Sequence, residues 1–234
     1  HMRFVPIKEE HQQNILCIHR TRQGFIEERT ATYNRLRGLI AEFGIVLPQK
    51  VERLRSDIHS HLESMPGWLN RCVTDLLAHA DHLDTLIEEY DRAIKTIAKE
   101  DERSKRLMQL PGIGPTTASA LLASLGVGHD FDNGRQVAAW MGLTPGQYSS
   151  GGKTRLGRIT KAGDGYLRSL LVLGARAVLN SLGTKQDRFS RWARALQERR
   201  GYWKAAVAIA AKNARLAWAV LKYGEAFRLY PSAV

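Results

Sequence analysis

Cysteine is scarce in this chain of 234 residues. Cys17 and Cys72 are its only two, far apart and without CxxC spacing, which excludes a disulfide framework or a zinc module. Long apolar runs are missing too. The best candidate, residues 170–182, is interrupted by Arg176, well short of the roughly 20 apolar residues a membrane span requires. The N-terminus, His1-Met2-Arg3-Phe4-Val5-Pro6, lacks the apolar centre of a signal peptide. Carboxylates are few in the second half: residues 101–234 carry eight, with Asp130 and Asp132 as a close pair. That is too few for a two-metal nuclease site. His59 and His61 fall on different sides of a helix, and His79 and His82 share a face without a third ligand, so no metal ligand is expected. With 44% hydrophobic and 25% charged residues, the chain is also not of the disordered class.

What the chain does have is positive charge, unevenly placed. Its net charge is +12. Residues 1–100 carry 14 basic and 15 acidic groups, residues 101–234 carry 21 and 8, so the second part alone holds +13. Such an imbalance predicts a polyanionic partner. Nucleic acid is favoured over an anionic membrane because no amphipathic anchor accompanies the charge.

The apolar pattern predicts an all-α chain: a long helical hairpin or coiled coil, then a compact helical domain. Pro6 suits the first turn of a helix. Ile15, Ile18, Arg22, Phe25, Arg29, Thr32, Leu36, Leu39 and Phe43 then recur at alternating spacings of three and four, and Gly44 with Pro48 ends the run. A short helix is expected over 49–62, with a break at Pro66-Gly67. Leu69, Val73, Leu76, Ala80, Leu83, Ile87, Tyr90, Ile94 and Ile97 form a second seam that asks for a partner helix. The first helix satisfies it in a self-packed bundle; a second copy of the chain satisfies it in a dimerising coiled coil. Arg22 and Arg29, on core-type positions, point toward an oligomer interface whose register they set. Beyond residue 100, helices are expected near 103–109, 115–125, 133–141, 164–182, 187–198 and 202–222. The aromatic residues interleaved there with cations (Trp140, Tyr148, Tyr166, Trp192, Tyr202, Trp203) suit core packing or base stacking.

Two motifs carry chemistry. Residues 107–122 place Leu110-Pro111-Gly112-Ile113-Gly114-Pro115-Thr116 between two apolar stretches, the pattern of a helix-hairpin-helix element. Glycines allow the tight turn, and amides at the turn and the following helix start suit phosphate oxygens; Gly112, Ile113, Gly114 and Thr116 are the expected contacts. A plain helical turn is the competing reading. The second motif, residues 142–158, sets Ser149-Ser150 before Gly151-Gly152, with cations at Lys153, Arg155 and Arg158 and Lys161 beyond. A serine beside glycines is open to attack a phosphodiester, and nearby cations suit a charged phosphorane. A flexible anion-binding loop fits the same residues, and nothing local supplies a general base. Asp164 suits an N-cap, with Lys161 and Arg168 flanking that helix entrance. The helix from Trp203 to Lys212 is Ala-rich and reads as scaffold, permitting close packing.

Taken together, Leu-Pro-Gly-Ile-Gly-Pro-Thr-Thr-Ala at 110–118, Ala138-Ala139-Trp140-Met141-Gly142-Leu143-Thr144-Pro145, Ser149-Ser150-Gly151-Gly152-Lys153, Arg158-Ile159-Thr160-Lys161-Ala162-Gly163-Asp164 and Tyr166-Leu167-Arg168 resemble the insertion-sequence one-ten family of transposases, relatives of the Piv-like DNA invertases. The resemblance extends over residues 3–234, with Arg3–Lys8, His19–Arg22 and Arg37–Gly44 matching a helical linker. It implies a serine nucleophile, best matched by Ser150 with Ser149 as the alternative, working on DNA with a RuvC-like domain that carries a DEDD quartet and Mg²⁺. It also implies guidance by a structured bridge RNA, homo-oligomerisation through the coiled coil, and a prokaryotic, cytoplasmic, nucleoid-associated location. Tyr148 and Tyr166 are not framed by the motif. The expected layout is a vector remnant at 1–2, a helical coiled-coil linker at 3–100 and a C-terminal transposase domain at 101–234. The acidic domain would precede Arg3, so no cofactor is expected in these residues and the fragment alone is expected to bind but not cleave. The alternative is a non-catalytic helix-hairpin-helix module for DNA binding and dimerisation.

Overall fold

A computed structural model describes residues 7–228. The expected vector remnant and the helix start at Pro6 lie outside the described residues. The fold is all-α apart from one small ribbon: α1 (Glu10–Ala41), α2 (Val51–His61) with a 3-10 turn at Leu62–Ser64, α3 (Gly67–Glu100), α4 (Glu102–Leu107), α5 (Pro115–Leu125), α6 (Gly134–Trp140), strands β1 (Pro145–Gln147) and β2 (Leu156–Ile159), then α7 (Gly165–Asn180), α8 (Arg188–Arg200) and α9 (Tyr202–Tyr223). Among the described residues no helix is long and apolar enough to cross a membrane.

The chain divides into two compact units, residues 17–93 and residues up to 16 together with those from 94 on. The divide differs from the one expected at residue 100. One physical reason is the start of α1, where Gln12 Nε2 donates to the Ala123 carbonyl at the end of α5 (3.2 Å).

In the 17–93 unit, α1, α2 and α3 enclose a core of Tyr33, Leu36, Ile40, Leu54, Ile58, Val73 and Ala80. The expected seam on α3 is the buried one at Leu69, Val73, Ala80, Leu83 and Ile87. Phe43 departs from expectation: α1 stops at Ala41, and the ring is exposed while Ile40 is buried. Arg22 and Arg29 find partners inside the chain rather than across an interface. Arg22 Nε donates to Asp91 Oδ1 (2.8 Å), and Arg29 pairs with Asp84, which also accepts from Arg55. Their core positions are therefore explained by the hairpin itself, and they carry no argument for an oligomer.

In the other unit the core gathers on α9. Ala205, Ala206, Ile209, Ala210, Ala214 and Ala217 are buried along it, and these small side chains let α6, α7 and α8 pack close to its backbone. Helix starts are set by side chains that accept from first-turn amides: Asp101 for α4, Asn133 for α6, Asp164 for α7 and Asp187 for α8. Each satisfies amides that the helix geometry leaves without a partner. At α5 the start is instead Gly114 with Pro115 in the first turn.

Candidate nucleic-acid interface

The Ser-Gly segment forms a ribbon where a flexible loop was the simpler expectation. β1 and β2 are antiparallel, with Pro145 opposite Ile159 and Gln147 opposite Leu156. The pairing continues outward: Tyr148 N–H donates to the Arg155 carbonyl (2.9 Å), and Ser150 bridges to Lys153. Gly151 and Gly152 close the turn, both with positive φ (57° and 77°), the signs that a type I′ hairpin requires and that glycine adopts without strain. Side chains alternate across such a ribbon. Ser150, Lys153, Tyr148 and Arg155 therefore share one face, while Ser149, Gln147 and Leu156 lie on the other.

The two serines have different work. Ser149 Oγ accepts from Gln147 Nε2 (2.8 Å) and from the Arg155 amide (3.3 Å), which ties the ribbon together. Ser150 is exposed, and its hydroxyl has no hydrogen-bond partner among the described residues. The cations stand on its own face, one directly across the ribbon and one two residues further along. That face carries no carboxylate or imidazole. Tyr148 is exposed there with its ring over Gly157. Tyr166 belongs to α7, where it packs on the core.

The Pro-Gly-Ile-Gly turn, residues 108–114, joins α4 to α5 and is anchored from below. A Cβ on Gly112 (φ +82°) would lie 2.5 Å from the Gly174 carbonyl oxygen, and one on Gly174 would strike the Gly112 carbonyl. The turn thus sits backbone to backbone on α7. The buried Asn213 of α9 holds it as well, its Nδ2 donating to the Pro111 carbonyl (2.8 Å). Ile113 is buried in the core, so its side chain does not face a ligand. Gly114 is exposed and Thr116 half-buried, and at this end of α5 the first amides point outward by helix geometry.

Of the remaining expected contacts, Arg158 and Lys161 are exposed. Arg168 is engaged within the fold, its guanidinium donating to the carbonyls of Met141 (2.9 Å) and Ala162 (3.2 Å). It fixes the loop between β2 and α7.

Beside the ribbon lies a groove of about 990 Å³ that runs between β2 and helices α8 and α9. Its floor is apolar, with Leu143, Leu156, Leu196, Val207 and Ala208. Its rim carries Arg135, Arg158, Lys161, Arg200, Lys204 and Arg215, and no Asp or Glu lines it. Among the described residues of this unit beyond 101, ion pairs join only Arg103 to Asp101 and Lys105 to Glu102, so the rim cations are unneutralised. Trp203 also lines the groove, 64% exposed, with the Arg176 guanidinium 5.3 Å from its ring centre. Trp192 lines the groove as well, and Lys212 Nζ rests 3.9 Å from the centre of its ring. Burial, then the neighbouring Arg215 and Arg188, holds this ammonium below its ordinary range.

Sequence reasoning missed most of this groove. Arg135, Arg200, Lys204 and Arg215 come from three helices and meet only through tertiary packing. The ribbon did carry a signal, Gly-Gly between two short runs, but those runs are polar and lack the apolar alternation of a half-buried strand. No group of three His, Cys, Asp or Glu among the described residues is placed to hold a metal. His79, one of the histidines weighed above, lies 2.9 Å from Glu28.

Residues 104–191 match the family described as "Transposase IS116/IS110/IS902 family". The chain is 40% identical over 232 residues to a "Probable family 20 transposase" of Pseudomonas aeruginosa, covering 97% of this chain and 69% of that protein. It is 38% identical over 235 residues to the "Transposase for insertion sequence element IS1111A" of Coxiella burnetii, covering 97% and 64%. It is 37% identical over 229 residues to the "Transposase for insertion sequence element IS1328" of Yersinia enterocolitica, covering 97% and 68%. The chain thus spans roughly two thirds of the length of these relatives, and it belongs to the IS110/IS116/IS902 family of transposases.

Proposed function

We propose that this chain is the DNA-handling part of a transposase in which Ser150 is the nucleophile. The observation that carries the reading is the ribbon tip: an exposed, unengaged hydroxyl on a tight two-glycine turn, on the same face as Lys153 and Arg155. In the reaction, Ser150 Oγ forms a bond to phosphorus as the bond from phosphorus to a sugar oxygen breaks. The serine gives up its proton and the leaving oxygen gains one. One ester replaces another, so the link stores the energy needed to rejoin a strand. Lys153 and Arg155 neutralise charge that grows on the phosphoryl oxygens, a contribution of a few kcal/mol per well-placed donor. Arg158 and Lys161 meet phosphates on the groove side of the ribbon, away from the reacting one, and the turn at Gly112–Thr116 grips the backbone without reading bases, as a helix-hairpin-helix does.

The family resemblance adds Mg²⁺ held by the acidic quartet of a RuvC-like domain. The residues described do not fit that ion, and every step above is assigned to this chain's own groups. The proposal places that domain before Arg3 in the whole enzyme, with a structured RNA as guide, assembly through the helical arm, and action on prokaryotic DNA in the cytoplasm. On this view residues 3–234 alone bind nucleic acid and cleave it poorly.

The test is a trapped covalent protein–DNA adduct in the whole enzyme. Wild type and Ser149→Ala should form it, and Ser150→Ala should lose it by at least about 10³-fold. An adduct that survives Ser150→Ala overturns the assignment. Binding without any adduct in wild type favours the second reading, a non-catalytic module for DNA binding and dimerisation, which the lack of a carboxylate or imidazole on the Ser150 face also fits.

A further inference from the structure

We infer that the groove between β2 and α8–α9 holds an unpaired polynucleotide strand, with a base stacked on Trp203 and phosphates on the cations of its rim. The inference rests on the reading that this chain handles nucleic acid, and it adds which state of nucleic acid this surface takes.

The groove combines two properties that a duplex does not match. Its rim supplies six cations with no carboxylate among the lining residues, which calls for a polyanion. Its floor is aliphatic and aromatic. A duplex keeps its base faces stacked inside and would offer the floor mainly sugar, phosphate and base edges, leaving much of the apolar surface uncovered. An unpaired strand carries apolar base faces between its phosphates, and these cover the floor while the rim meets the charge. The volume of about 990 Å³ lies at the top of the range for pockets that enclose one small molecule, roughly 300–1,000 Å³, so it suits more than one nucleotide.

Trp203 is built as a stacking platform. It sits in the first turn of α9, 64% exposed, so the core does not need it there. Yet it is braced: the Arg176 guanidinium lies 5.3 Å from its ring centre, and the Tyr202 ring meets it edge-on at 5.4 Å and 88°. A braced ring loses little conformational freedom when a base lands on it. The cations come from both banks, Arg158 and Lys161 from the ribbon side, Arg200, Lys204 and Arg215 from the helices.

The groove and the Ser150 hydroxyl use different faces of the ribbon. Leu156, which lines the groove, is opposite Gln147 and so on the Ser149 face. Strand binding in the groove and chemistry at Ser150 therefore fail separately.

The experiment measures binding of residues 3–234 to labelled oligonucleotides of about 12 nucleotides: oligo-dT, oligo-rU and a DNA duplex of equal length. Unpaired strands should bind at least about tenfold tighter than the duplex at equal salt. Trp203→Ala should weaken unpaired binding roughly tenfold and duplex binding less than about twofold, while Trp203→Phe retains most of it. Arg135→Ala with Arg215→Ala should weaken unpaired binding and lower its salt dependence. The dT and rU arms decide whether the strand is DNA, RNA or either. Equal losses for duplex and unpaired strands on Trp203→Ala overturn the inference. So does self-association of the chain that Trp203→Ala abolishes while oligonucleotide binding stays intact, which would make the groove a protein interface. If unpaired binding follows the pattern above and no Ser150 adduct forms in the whole enzyme, the groove stands and the nucleophile assignment falls.

Discussion

The 17–93 unit and the unit that carries the ribbon treat their charges in opposite ways. In the first, cations are paired across the helical hairpin: Arg22 with Asp91, Arg29 with Asp84, Arg55 with Asp81 and Asp84. In the second, three of the eight carboxylates in residues 101–234, namely Asp101, Asp164 and Asp187, accept hydrogen bonds from helix amides. Burial opposes the ionised form of Asp187, yet bonds from Ser190 and nearby amides hold it below the usual carboxylate range. Asp101 pairs with Arg103 as well, Asp164 and Asp187 pair with no cation among the described residues, and none of the three lines the groove, so its rim stays positive. Equal chemistry, arranged differently, leaves one region with cations paired across its helices and the other with a cationic rim.

The two regions are also held together by different contacts, and four substitutions probe them. The largest effect is expected at Gly174→Val, where any side chain meets the Gly112 backbone. Overpacking there should cost about 3 kcal/mol or more in urea unfolding. Gly24→Ala, in open space on α1, should instead be neutral or stabilising by about 0.5–1 kcal/mol. Similar costs at both glycines would mean that the approach of Gly112 to Gly174 is not close-packed.

Next comes acidification of the arm. His19 is buried, and burial first, then the charge of Arg22, lowers its pKa from 6.5 to about 4. Unfolding frees the imidazole to take a proton, so the unfolded chain binds more protons between these values. The contribution to stability is fully present above pH 6.5 and is lost as pH falls through about 4. At pH 5 the arm should be less stable than at pH 7.5 by about 2 kcal/mol, and His19→Gln should flatten that slope. A wild-type slope that persists unchanged in His19→Gln would assign it to other groups.

The smallest effect is expected at Asp84→Asn, which removes the shared partner of Arg29 and Arg55. These groups are about a third exposed, so the loss should be about 1 kcal/mol at low salt and should shrink as salt rises. An effect indifferent to salt would mean that shape, not charge, joins the two helices.

Much of this architecture was legible in the sequence where local chemistry decides. α5 falls on the expected residues because Pro115 opens it and Gly126 follows it, and α9 begins at Tyr202 after Gly201. Asp164 caps α7 as its place before an apolar stripe predicts. Legibility failed where tertiary contact decides. Ile113 belongs to a phosphate-binding pattern in sequence, but packing on α7 turns its side chain into the core. Arg168 follows a cation-rich run, yet two carbonyls brought near by the fold engage it. Phe43 continues the heptad spacing on paper, but the helix ends two residues before it. The difference between Ser149 and Ser150, adjacent in sequence, appears only once the ribbon pairs and sets them on opposite faces.

That alternation has a spatial consequence. A two-stranded ribbon is a septum a single backbone thick, and with each layer packed roughly 10 Å from it, layers on its two sides are held roughly 20 Å apart. A strand seated in the groove and a phosphate approached by Ser150 would stand on either side of this partition. Neither could drift into the other's place without passing the Gly151-Gly152 edge.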